Sequence, residues 1–141
     1  MNLDDTIDTS YTAWDAFAKG DSAPAKLLLS HRDDVMLANP FGPAVAGWKA
    51  TSDMLDFASS RFKDGRFRGV DRVARYEATD LAVIHETEHW QAKIAGREEL
   101  SDFDLRVTTT FRVEDGTWKI VHRHADPITT LSEDGPLRQI A

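Results

Sequence analysis

The sequence contains no cysteine. That excludes disulfides, thiolate metal sites and cysteine nucleophiles, and it suits a reducing compartment such as the cytoplasm. No apolar run reaches the ~20 residues that a membrane-spanning helix needs. The start, Met1-Asn2-Leu3-Asp4-Asp5-Thr6-Ile7-Asp8, lacks the basic segment and apolar stretch of a secretory leader. Lysine and arginine form no run, and 17 of them against 24 aspartates and glutamates leave a net charge of −7. An acidic chain repels phosphate backbones and anionic headgroups, so neither nucleic acid nor a membrane is an expected partner. Internal repeats and low-complexity segments are also missing.

What remains is the composition of one soluble domain. The 141 residues are 41% hydrophobic and 29% charged, enough apolar matter for a core of their own. The densest pattern runs from Val107 to Pro127. Two stretches rich in β-branched and aromatic residues flank Glu114-Asp115-Gly116-Thr117, whose Asp-Gly pair favours a tight hairpin. The second stretch alternates Trp118, Ile120, His122 and His124 with Lys119, Val121, Arg123 and Ala125.

Upstream, Leu3, Ile7, Tyr11, Trp14 and Ala18 recur at helical spacing, with Asn2 as a cap and Lys19-Gly20 as a stop. Asp21 or Ser22 caps a shorter second helix with Pro24 in its first turn. Val35–Ala38 reads as a short buried strand, and the prolines of Asn39-Pro40-Phe41-Gly42-Pro43 force a turn. Helical spacing returns from Trp48 to Phe62, and Lys63-Asp64-Gly65-Arg66 ends it. Strands are then expected at Phe67–Tyr76, with a bulge at Gly69, at Leu81–Ile94, at Leu100–Val113 and along the last alternating stretch. Helices early and strands late predict an α+β fold, a curved antiparallel sheet packed on three helices with a pocket between the layers. Residues 1–141 form one domain in this reading, with 127–141 as a C-terminal arm.

The order of elements, with Lys19-Gly20-Asp21, Asn39-Pro40-Phe41-Gly42 and the closing Asp115-Gly116-Thr117-Trp118-Lys119-Ile120-Val121-His122-Arg123-His124-Ala125-Asp126-Pro127, resembles the SnoaL-like, nuclear-transport-factor-2-like superfamily. The resemblance spans nearly the whole chain and implies an α+β cone barrel. The closing segment is most similar to small bacterial members and to the association domain of calcium/calmodulin-dependent kinase II. It implies no single activity, because this fold hosts isomerases, dehydratases, hydrolases and non-catalytic assemblies. The steroid isomerases use a carboxylate base, a tyrosine and a protonated acid. The resemblance places these at Asn39, Ala13 and Thr109, which cannot supply that set.

By the same resemblance, the face of Leu81, Val83, His85, Thr87 and His89 points into the pocket. The dehydratase branch uses pocket histidines, which makes His85 the candidate acid–base residue. The alternative is a half-buried His85 bonded to a nearby threonine or carboxylate. Tyr11, Asn39, Thr87, Thr109 and Arg123 complete the expected ligand-binding set. Arg123 either reaches a ligand anion or pairs with Glu86 or Glu88. His85 and His89 lie ~13 Å apart along a strand, too far to share an ion, and His122 and His124, ~7 Å apart, have no third ligand beside them. No metal or other cofactor is expected.

The inward face of the last strand stays open. Apolar content favours Trp118, Ile120, His122 and His124 inside, whereas the kinase association domain implies Val121, Arg123 and Ala125. In the second arrangement Trp118, His122 and His124 lie on an outer sheet surface that packs against a second subunit. The expectation is a cytoplasmic homodimer that binds a small molecule, with dehydratase- or isomerase-type acid–base chemistry, or alternatively a non-catalytic association module.

Overall fold

Local signals set the helices. In a computed structural model that describes residues 1–135, the first helix, α1, spans Leu3–Ala18 and buries Leu3, Ile7, Trp14 and Ala18 along one stripe. The Asn2 side chain accepts from the Asp5 N–H at 2.8 Å, and Gly20 leaves the helix at φ 93°. A short α2, Ala23–Leu28, follows with Pro24 in its first turn. β1 (Met36–Ala38) and β2 (Val45–Ala46) bracket the proline turn, and α3 (Trp48–Ser60) buries Thr51, Leu55 and Ala58. None of these helices is long and apolar enough to cross a membrane.

Four long strands complete the chain: β3 (Phe62–Glu77), β4 (Leu81–Ile94), β5 (Ser101–Glu114) and β6 (Thr117–Asp126). The Asp115 and Gly116 φ angles of 52° and 77° fit the primed hairpin turn that Asp-Gly favours. The six strands form one sheet in the order β2-β1-β6-β5-β4-β3, with the helices packed on it as the α+β pattern predicts. Two details differ from the expected all-antiparallel barrel. The sheet stays open, with β2 and β3 at its edges, and β1 runs parallel to β6, Leu37 opposite Arg123. A three-residue strand carries no signal for its direction; α3 and the four intervening strands bring the chain back beside it at β6.

Bulges curve the sheet. β3 has register shifts between Lys63 and Arg66, between Phe67 and Gly69, and between Arg72 and Ala74. The Gly69 bulge was expected. Lys63–Arg66, expected to end the third helix, instead begins β3. Asp64 sits at φ 55°, and a Cβ on Gly65 would strike the Gln91 and Ala18 carbonyl oxygens, so the chain passes there only as glycine.

A further shift, between Thr110 and Phe111, settles the orientation of β6. Phe111 faces Ile120, but Thr110 faces His122, leaving Val121 as an extra residue. The strand changes phase there. Ile120, Arg123 and Ala125 are all buried toward the helices, while His122 and His124 turn to the outer face. Trp118 packs against the core rather than on the outer face, a correction to the expected interface set. Each of the two expected orientations therefore holds for one half of the strand. Residues 127–135 form neither helix nor strand, and 136–141 of the expected arm lie outside the described residues.

Candidate functional site

A cavity of ≈230 Å³ opens between the helices and the inner sheet face. Trp14 and Phe17 reach it from α1, Phe41 from the β1–β2 turn, and Phe62, Trp90 and Phe103 from the first three long strands. Phe62 and Phe103 stack at 5.7 Å between ring centroids, and Trp90 stacks on Phe103 at 6.0 Å. Leu37, Leu55, Leu105 and Ala125 fill the spaces between rings. Rings held by other rings have little rotamer freedom, so the cavity is preformed.

Among the described residues two polar side chains line it, Asn39 and Arg123. The Asn39 side-chain oxygen Oδ1 accepts from the Phe41 N–H at 3.0 Å, a local turn that aims Phe41 inward and leaves the side-chain amide nitrogen as a donor. Arg123 donates to both oxygens of Glu88, at 2.9 and 2.7 Å, and Trp90 Nε1 donates to the same carboxylate at 3.0 Å. The guanidinium carbon sits 4.0 Å from the Trp14 ring centroid. Arg123 is 4% and Glu88 2% exposed, so the pair is held in a dry environment. Charges that deep survive only because each satisfies the other with near-ideal bidentate geometry.

A sequence model of the SnoaL-like domain matches residues 7–129, the span that builds all of this. The chain belongs to the SnoaL-like domain family. Solved structures agree on the fold. A nuclear-transport-factor-2-like superfamily protein from Salmonella enterica serovar Typhimurium LT2 superposes with a TM-score of 0.77 at 16% identity, over 93% of this chain and 92% of that one. A protein from Thiobacillus denitrificans named for the calcium/calmodulin-dependent protein kinase type II association domain gives 0.72 at 20%, over 91% and 96%. A ketosteroid isomerase-like protein from Erwinia carotovora atroseptica gives 0.73 at 14%, over 91% and 95%. No curated protein matches the chain. At such identities these likenesses establish architecture and not chemistry.

The SnoaL-like cavity receives two of the six residues expected in it, Asn39 and Arg123. His85 and Thr87 are on the opposite sheet face. The buried side of β4 carries Ala82, Ile84, Glu86, Glu88, Trp90 and Ala92, and His85 instead contacts the Thr108 hydroxyl through Nδ1 at 2.9 Å. The histidine is the half-buried, threonine-bonded kind. Two glutamates disguised the inner face in the sequence; Trp90 and Ala92 beyond them were the signal that could have corrected it. Thr109 faces inward and is buried across from Arg123, but it does not line the cavity.

Tyr11 is drawn into a neighbouring cluster. Its hydroxyl donates to Glu86 at 2.6 Å, while Arg72 donates to Glu86 at 3.1 Å and to the Tyr11 oxygen at 3.2 Å. Burial, and then the adjacent Glu86 carboxylate, push the phenol far above its ordinary pKa. On the outer face His89 donates to Asp104 at 2.7 Å and Asp71 at 2.8 Å, which raise its pKa. Among the described residues no three His, Cys, Asp or Glu side chains converge as a metal site.

Glu88 and the aromatic lining were not singled out as site residues from the sequence. Glu88 had a place there only as a possible partner for Arg123. Chemically, the cavity offers stacking surfaces, an amide donor and a neutralised ion pair. That set suits holding a molecule more than moving its protons.

Proposed function

We propose that this SnoaL-like protein binds a compact organic molecule in its aromatic cavity. The cavity itself carries the reading: ≈230 Å³, preformed, and walled by Trp14, Phe17, Phe41, Phe62, Trp90 and Phe103. A cavity of ~150 Å³ holds benzene, so this volume suits one ring or two fused rings. Proton-transfer catalysis has weaker support. Arg123, the ionisable side chain that lines the cavity among the described residues, is committed to Glu88, and His85 is on the far side of the sheet. Binding without turnover is the function the geometry supports best, in the cytoplasm on the cysteine-free composition.

The test is a thermal-shift survey of small aromatic and alicyclic compounds on the wild type and on Ala58→Phe, which fills the cavity from α3. Stabilisation of the wild type that disappears in Ala58→Phe supports the proposal. A survey in which no compound shifts the wild type defeats it. His85→Ala should respond to ligands as the wild type does.

A second reading, a homodimeric association module, draws on the outer sheet face and on the likeness to the Thiobacillus protein. His85, His122 and His124 share that face with Tyr76 and Leu81, 67% and 44% exposed. Exposed aromatic and aliphatic side chains around polar groups are what an interface needs. Light scattering at micromolar concentration should give the mass of two chains; a single-chain mass removes this reading and leaves the cavity proposal standing.

A further inference from the structure

We infer that the cavity selects neutral ring compounds over carboxylates, and that Glu88 is the residue that sets this choice. The inference rests on the binding role proposed for the cavity and adds the chemical class of its occupant. Arg123 alone would make the opposite site. An arginine in an apolar cavity is a permanent, weakly hydrated cation that pairs carboxylates in a planar fork. Here that fork is already filled. Both terminal nitrogens are bonded to Glu88, at 2.9 and 2.7 Å, and the carboxylate is pinned in turn by Trp90 Nε1 at 3.0 Å. The guanidinium face rests on Trp14. No other cationic side chain lines the cavity among the described residues.

The wall is therefore electrically neutral where it is most polar. An incoming carboxylate would lose its water, find the cation occupied and approach the Glu88 charge. A neutral molecule meets none of these penalties. A guanidinium has more N–H donors than one carboxylate can take, and the Arg123 Nε–H has no hydrogen-bond partner among the described residues. With the Asn39 amide nitrogen it can orient a carbonyl, amide or hydroxyl oxygen. The occupant this describes is a one- or two-ring, uncharged molecule with a single acceptor group.

Two nearly isosteric pairs test it by calorimetry at neutral pH: benzamide against benzoate, and naphthalene-2-carboxamide against 2-naphthoate. In the wild type the amide should bind about tenfold or more tightly than its acid, since like charges at close range are strongly disfavoured. Glu88→Gln keeps the shape, frees the Arg123 charge and should raise affinity for the acid about tenfold while moving the amide only a few-fold. A wild type that binds the acid as well as the amide overturns the inference and leaves the cavity proposal intact. Unchanged selectivity in a folded Glu88→Gln overturns the role of Glu88. Should that variant not fold, the wild-type comparison decides by itself, and failure of all four probes to bind defeats the binding role together with the inference.

Discussion

Ile120 and Arg123 are three positions apart on one strand, yet both face the helices. Regular alternation forbids this; the unpaired Val121 permits it by shifting the phase. Deleting Val121 should restore plain alternation and leave Arg123 and Ala125 facing inward, because Ile120 and His122 already sit opposite consecutive residues of β5. Arg123 would keep its bonds to Glu88, so the variant loses only the buried Val121 side chain and the local fit of the bulge, about 1–3 kcal/mol. Urea unfolding should show a folded variant with a loss of that order, and failure to fold would contradict the assigned register.

The ion pair should be worth less than its breakage suggests. Glu88→Leu or Arg123→Met alone leaves a buried charge and should cost about 3–5 kcal/mol. Replacing both removes that charge from the core, so the double variant should recover most of the loss. A double-mutant cycle by chemical denaturation measures the coupling, and simple additivity would count against the buried pair.

Tyr11 should report on alkaline pH. Because its folded pKa is raised, the stability it contributes is complete below the unfolded value of ~10 and declines as pH climbs above it. Tyr11→Phe should lower stability by about 1–2 kcal/mol near neutrality, through loss of the bond to Glu86. The same variant should also lose the alkaline decline. Tyrosinate absorbance in a Tyr76→Phe background isolates the signal; ionisation near the ordinary value would refute the contact.

Two outer-face histidines should give opposite pH slopes. Hydrogen bonds to Asp104 and then Asp71 raise His89, so its contribution is full below ~6.5 and fades as pH rises through its higher folded value. Burial, and then the nearby His124, lower His122, whose buried Nδ1 has no hydrogen-bond partner among the described residues. Its contribution is full above ~6.5 and fades as pH falls through its lower folded value. His89→Gln should flatten the upper limb of a stability–pH curve and His122→Asn the lower. Denaturation midpoints collected across that range decide, and exchanged effects would invalidate both environments.

Gly65 should tolerate no side chain. In Gly65→Ala the new methyl would press on two carbonyl oxygens and the Ala92 side chain, of which the carbonyls belong to α1 and β4 and cannot swing away. A loss of about 1–3 kcal/mol is expected by thermal or urea unfolding. Gly116→Ala is the control, since nothing lies within 4 Å of a Cβ there and only the strain of its positive φ remains.

The sequence by itself determined the elements whose causes are local. Asn2 caps the first helix, Gly20 ends it, Pro24 opens the second, and Asp115-Gly116 folds the last hairpin, all as their chemistry predicts. The α+β order followed from hydrophobic period, and the family from motifs spread along the chain. Tertiary structure decided which face of each strand looks inward. Alternation with a period of two defines two faces without ranking them, and on β4 two buried glutamates made the inner face look like the solvent one. Their partners, Arg123 for Glu88 and Tyr11 and Arg72 for Glu86, come from distant segments. A single extra residue at Val121 likewise has no mark in composition, because a bulge is created by the pairing of two strands rather than by either alone. The cavity, its aromatic walls and its neutralised arginine exist only after those strands and α1 have met.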